Sequence, residues 1–284
     1  MKIIESNWDE FNSYPSVNFY CKHYNEDLHA VIFEGYECLF PFIKNKIVIE
    51  RPKEIHKLSY EDRNNIVRKK ILELVDEKNI ISCKKSIDEI HPNCHLYKYL
   101  FSNYTKYIIE NKKHLFEPSL QDLEKTKKIL PNTNKAIVCV NGRNLSKVSQ
   151  YNYTLEYLIE FLIKSGIYVI NCTFDKPNFN YDSDSYWEPH NFIESYNINC
   201  SLFSLCNSVI TIGNAGGVST HLMTNCNVIV LGPGGWIDNL EMGYQNESIL
   251  TARKKYLPQK TIFLPTYRHD INVNNKIILK SILE

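Results

Sequence analysis

The sequence predicts an α/β protein built on parallel sheets with helices on both faces. Three observations predict it. Short continuous apolar runs alternate with amphipathic helical stretches through the second half, the pattern of strands buried on both sides. Nine of the ten glycines lie between Gly142 and Gly243, so the turns that a ligand can approach closely are concentrated there. Pro131-Asn132-Thr133-Asn134 is a polar break that divides the chain into 1–130 and 135–284. Two units also suit a chain of 284 residues, given about 150 residues per domain.

In the first segment Val17 to Cys21 reads as a short strand, and Asp27 opens a helix reaching Tyr36. Lys46 to Glu50 (KIVIE) is a strand stopped by Arg51-Pro52. Tyr60 to Glu77 is a helix, because Ile66, Val67, Ile71, Leu74 and Val75 recur at helical spacing. Asn79 to Cys83 is a strand. His95 to Asn111 is a helix with Leu96, Leu100, Tyr104 and Ile108 on one face, and Ser119 starts another with Asp122 in its first turn.

The second segment alternates more regularly. Ala136–Val140 (AIVCV) is a strand, Thr154–Lys164 an amphipathic helix ended by Gly166, and Ile167–Asn171 a strand. Ser201–Cys206 is a short helix and Ser208–Ile212 (SVITI) a strand, followed by a glycine-rich loop and a helix from about Ser219. Asn227–Leu231 is the next strand, Thr261–Leu264 a weaker one, and Asn274–Leu283 the closing helix. Such sheets take ligands at the carboxyl ends of their strands.

Composition excludes several classes. Hydrophobic residues at 43% and charged residues at 23% describe an ordinary globular chain. A formal charge of +1 disfavours a nucleic-acid partner, since generic phosphate binding rests on a basic excess. The most apolar stretch, Leu155 to Ile170, is interrupted by Glu156, Glu160 and Lys164, so no transmembrane segment is expected. The N-terminus lacks a signal-peptide core, which points to the cytoplasm. Nine cysteines, an odd and scattered set, then read as small buried hydrophobes.

The strongest chemical signal is SVITIGNAGGVSTHLMTNCNVIVLGPGGW, Ser208 to Trp236. A strand runs into Gly213-Asn214-Ala215-Gly216-Gly217, and a helix starts with Val218-Ser219-Thr220-His221. Free N–H groups at such a start favour a phosphate, the glycines remove obstructing Cβ atoms, and Ser219 and Thr220 add hydroxyl donors. It is neither GxGxxG nor a P-loop, since no lysine follows in place. The second signal is Gly142-Arg143-Asn144 with Lys147, directly after AIVCV, where two cations can clamp a diphosphate. Asp175, beyond the strand IYVIN, suits a ribose hydroxyl.

In this order of motifs the stretch from about Ala136 to Glu284 resembles the C-terminal, nucleotide-binding domain of GT-B glycosyltransferases, most of all the ADP-heptose heptosyltransferase group. That group reads strand, basic loop, helix, strand, short helix, strand, a small-residue loop like D-S-G-x-x-H-L, and a strand ending in G-P. Here NGRNLSK, TLEYLIEFLIKSGIYVIN, SLFSLCNSVITIGNAGGVSTHL and NVIVLGPGGW follow in sequence, with His221-Leu222 at the H-L. The resemblance implies that Asn214, Ala215, Gly216, Gly217, Ser219, Thr220 and His221 hold the donor diphosphate. The group's acidic loop residue and its Lys-x-Trp-Pro are absent here. VNFYCKHYNEDLHAVIF is similar to the group's opening strand, G-D loop and helix, with Glu26 at the Gly and Asp27 at the catalytic Asp.

The resemblance implies two doubly wound, Rossmann-like domains facing a cleft, the N-terminal one small. Residues 1–130 would bind the acceptor and 135–284 the donor. A sugar would pass from a nucleotide sugar to a glycan or glycoconjugate hydroxyl, with inversion. Asp27 or His29 would take the proton, with Glu34, Glu37 and His23 behind them. No cofactor and no metal is expected, since backbone amides, Arg143 and Lys147 would hold the leaving diphosphate. Other readings are a metal-dependent GT-A-like transferase using Asp182 and Asp184, a sugar-nucleotide epimerase or hydrolase, and an inactive nucleotide-sugar binder. A zinc site from Cys83, His91, Cys94 and His95 fits no usual ligand spacing.

Overall fold

The computed structural model describes residues 1–5, 13–24, 28–53, 55, 58–82, 96–142, 154–173, 184–189, 195–212, 221–232, 243–266 and 271–284. Two parallel sheets organise it, as the sequence predicts for an α/β chain.

The first sheet has four strands: β1 (Lys2–Glu5), β2 (Leu28–Phe33), β3 (Asn45–Ile49) and β4 (Ile80–Ser82), in the order β3-β2-β1-β4. Every pairing in it is parallel. Two expectations are corrected here. The run Val17–Cys21 lies inside helix α1 (Ser13–Tyr24), not in a strand. Leu28–Phe33, expected within a helix reaching Tyr36, is strand β2, whose burial is almost continuous. An apolar run of five or six residues suits either element. The arbiter is the pairing Ile3↔His29, a contact between residues distant in sequence. Helix α2 (Tyr60–Leu74) starts on a reciprocal cap in which Ser59 accepts from the Asp62 N–H and Asp62 from the Ser59 N–H.

Two further helices precede the polar break: α3 (Leu96–Asn111) and α4 (Leu120–Ile129), the latter capped by Ser119. Both pack on the second half, α3 against α7 (Ile249–Tyr256) and α4 against α6 (Tyr196–Leu205). The Phe116 N–H reaches the Met223 carbonyl at 2.9 Å between them.

The second sheet holds β5 (Ile137–Gly142), β6 (Tyr168–Asn171), β7 (Tyr186–Trp187), β8 (Ser208–Ile212), β9 (Val228–Gly232) and β12 (Thr261–Pro265). Its spatial order is β12-β9-β8-β5-β6-β7, all parallel. Counted within the sheet this is 3-2-1-4-5-6, the order of a complete dinucleotide-type fold, and it reverses between β5 and β8. A small antiparallel pair, β10 (Gly243–Tyr244) and β11 (Glu247–Ser248), leads into α7. Helix α5 (Leu155–Lys164) ends at Gly166, whose φ of +79° lets the Ile167 N–H reach back to the Leu162 carbonyl at 3.1 Å.

One face of this sheet, with Val138, Val140, Ile210 and Ile212, packs on α5 and on α8 (Ile271–Leu283). The other face, with Cys139, Ile170, Val209 and Val230, joins a cluster that continues through α6 and α3 to Ile3 and Ile32 of the first sheet. The two sheets therefore share one core. Seven cysteines are described, six of them buried, and none is disulfide-bonded. Among the described residues no helix is long and apolar enough to cross a membrane.

Candidate functional site

Strands β5 and β8 lie side by side at the point where the strand order reverses, with Asn141 opposite Thr211 and Gly142 opposite Ile212. At such a reversal the connections leave in opposite directions, which opens a crevice beyond the strand ends. The two motifs singled out from sequence leave from these two strand ends.

Side chains alternate along a strand. Cys139 and Val209 face the shared core, so Asn141 and Thr211, two residues on, take the same side. Asn141 Nδ2 lies 3.0 Å from His221 Nε2, across the reversal. The Phe203 ring of α6 meets the imidazole edge-on, with centroids 4.8 Å apart. His221 is 1% exposed. Burial pushes its pKa down to about 3, so the ring is neutral at neutral pH. With the Asn141 amide as donor, Nε2 accepts and the proton sits on Nδ1. Among the described residues that Nδ1 and the hydroxyl of buried Thr211 have no hydrogen-bond partner. Leaving such groups unpaired costs about 1–3 kcal/mol each, and a ligand with acceptor oxygens would remove that cost.

The strand end beside β5 carries a second polar group. Asn171 donates to the Tyr186 hydroxyl at 3.1 Å and toward Glu188 at 3.4 Å, and accepts from the Thr173 N–H at 3.2 Å. The Tyr186 hydroxyl donates to Glu188, and its burial with that carboxylate beside it raises the phenol above its usual range. Neither Asn171 nor Glu188 is prominent in the sequence, and nothing in a two-residue strand such as β7 announces its pairing.

The other expected residues divide as follows. Gly142 ends β5. Arg143, Asn144, Lys147, Asp175, Asn214, Ala215, Gly216, Gly217, Ser219 and Thr220 lie outside the described residues, as do Asp27, Asp182 and Cys83, His91, Cys94 and His95. His29 is the second residue of β2, at the strand's amino end, half-buried, with Nδ1 unpartnered among the described residues. Glu34 and Glu37 follow the carboxyl end of the same strand. Asp184 is exposed in the turn before β7, and among the described residues no three His, Cys, Asp or Glu side chains form a metal-binding group.

The segment after β2 joins the two halves. Asn197 of α6 accepts from the Cys38 N–H at 3.0 Å and donates to Glu37 at 2.8 Å, while its own N–H reaches the Gly35 carbonyl at 2.9 Å. Tyr36 meets Tyr196 edge-on at 4.9 Å. Gly35 has φ +85°, and a Cβ there would stand 2.7 Å from Ser195 Oγ, so this position is built for glycine.

No protein-family model matches the sequence, and no curated protein matches it. Among solved structures the chain is similar to the wall teichoic acid polymerase TagF, at 10% identity and a TM-score of 0.32 over 99% of this chain and 82% of that one.

Proposed function

We propose that the chain is a glycosyltransferase that holds a nucleoside-diphosphate sugar in the crevice between β5 and β8. The observation that carries this reading is the strand-order reversal at which, among the described residues, the buried Thr211 hydroxyl and His221 Nδ1 have no hydrogen-bond partner while His221 Nε2 is held by Asn141. It is supported by the motifs that leave from the same strand ends: Gly142, Arg143, Asn144 and Lys147 on one side, and Asn214, Ala215, Gly216, Gly217, Ser219 and Thr220 on the other. In this reading the loop amides and the two cations take up the charge that grows on the diphosphate as it leaves, with no metal. His221, neutral, serves as a hydrogen-bond donor rather than a cation. Asp175 binds the ribose.

The acceptor sits on the first unit and its hydroxyl attacks the anomeric carbon, with inversion. A base must be held in place to take the hydroxyl proton. Glu37 fits that requirement best, because Asn197 fixes its carboxylate where the two halves meet. Asp27 is the competing base. Glu37→Gln is expected to leave donor binding unchanged and to lower transfer about 100-fold or more. If Asp27→Asn has that effect and Glu37→Gln does not, the base is Asp27. Release of nucleoside diphosphate with no acceptor present, at the full rate, would instead identify a hydrolase.

A further inference from the structure

In INVNNKIILKSIL, the sequence of α8, Asn274, Ile278 and Ile282 recur four residues apart and so share one face of the helix. Ile278 and Ile282 belong to the apolar cluster that covers the α5 side of the second sheet. Asn274, on the same stripe, is 0% exposed. Among the described residues neither its Nδ2 nor its Oδ1 has a hydrogen-bond partner. A buried amide with both its donor and its acceptor idle works against folding, and an aliphatic side chain of similar shape would continue the stripe without that cost.

The fold places this amide at the strand-order reversal. Residues 266–270 join the end of β12 to the start of α8, so the first turn of α8, which holds Asn274, stands at the carboxyl edge of the sheet. Beside it the Asn275 side chain donates to the Tyr157 hydroxyl at 2.9 Å, and Tyr157 is in the first turn of α5. The two helices are therefore neighbours on one face. Helix α5 joins β5 to β6 and lies over that pair. Packed helices are about 8–10 Å apart and paired strands about 4.8 Å, which sets α8 over β8 and β9. The junction of the helices runs along the boundary between β5 and β8, with Asn274 at its carboxyl end and Asn141 and Thr211 on the opposite face of the sheet.

We propose that Asn274 is a specificity-determining residue of this crevice: its amide pairs with the polar edge of the nucleobase, donating from Nδ2 and accepting at Oδ1. An ionised phosphate offers acceptors only and would leave Oδ1 idle. A sugar carries hydroxyls around its whole ring, whereas this amide is set in an aliphatic stripe. A base, apolar on its two faces and polar at its edge, matches both the stripe and the amide. The inference rests on the nucleotide-sugar reading above.

The test is calorimetric titration of the whole chain with the adenine, guanine, uracil and cytosine nucleoside diphosphates. The wild type should prefer one of the four. Asn274→Leu is expected to weaken that one roughly tenfold, the size set by the loss of two hydrogen bonds, and to move the others less. Its ligand-free Tm should not fall, because no hydrogen bond of the free protein is removed. Equal affinity of the wild type for all four, or equal weakening of all four in Asn274→Leu, overturns the inference. So does a variant that binds a nucleotide sugar less well and its nucleoside diphosphate as before, since the amide would then hold the sugar. If Asn274→Leu does not fold, the wild type's Asn274 side-chain amide resonance decides. At saturation a larger shift with the preferred nucleoside diphosphate than with the other three supports the proposal, and equal shifts or none overturn it. A wild type that binds none of the four sinks the site reading itself. A base preference that survives in Asn274→Leu sinks this inference alone.

Discussion

His221 and His114 tie the buried polar groups to pH. Their folded pKa values lie at about 3 and about 4, below the ordinary histidine value, and burial is the first cause of both shifts. Between those values and about 6.5 the unfolded chain binds more protons than the folded one, so stability falls as pH falls through that window. Unfolding near pH 5 should take up close to one proton for each of these two histidines. His221→Gln and His114→Gln should each remove one, and the slope of Tm against pH in matched variants measures it. Above about pH 7 neither residue contributes a slope. Gly35 gives a second prediction at this scale. Gly35→Ala meets both an unfavourable φ and Ser195, and should cost about 1–2 kcal/mol in denaturant unfolding. Replacing Ser195 with glycine as well should restore only the steric part of that loss.

At the scale of elements the decisive joint is α6 against the turn after β2. Asn197 spans it with two side-chain hydrogen bonds, to the Cys38 N–H and to Glu37. Asn197→Leu is expected to cost about 1–3 kcal/mol, since a backbone N–H and a carboxylate lose their partner together. The elements also show what the sequence makes legible. The run SVITI is a strand over Ser208–Ile212, and AIVCV and NVIVL fall within a residue or two of β5 and β9. Those runs are bounded by polar or glycine residues and buried on both faces, so composition alone marks them. The first half misleads because Val17–Cys21 and Leu28–Phe33 are both short apolar runs, and it is the pairing of Leu28–Ala30 with β1 that separates strand from helix. The site divides in the same way. His221 stands out within its motif. Asn141 and Thr211 do not, because their meaning comes from a strand register that no local pattern encodes.

The whole molecule behaves as one cooperative unit if the buried cluster shared by its two sheets is the main source of stability. Ile3 and Ile32 of the first sheet belong to the same cluster as Val209 and Val230 of the second, and α3 and α4 are packed across the polar break. Calorimetry should therefore show one unfolding transition, with equal calorimetric and van't Hoff enthalpies. A fragment of residues 135–284 should not fold to a native state, because the faces of α6 and α7 that α4 and α3 cover would be bare. In the proposed reading, binding at the reversal need not first order two loose domains.

Binding of nucleoside diphosphates and their sugars to the intact chain, read as a rise in unfolding temperature, is the direct measurement. At about 100 times its dissociation constant a true ligand adds about 2.7 kcal/mol. At least one such compound should raise Tm, and Asn141→Leu, which strips the amide from the strand end facing His221, should abolish the rise. If no nucleoside diphosphate or nucleotide sugar moves Tm, or if the shift persists in Asn141→Leu, the site is not between β5 and β8.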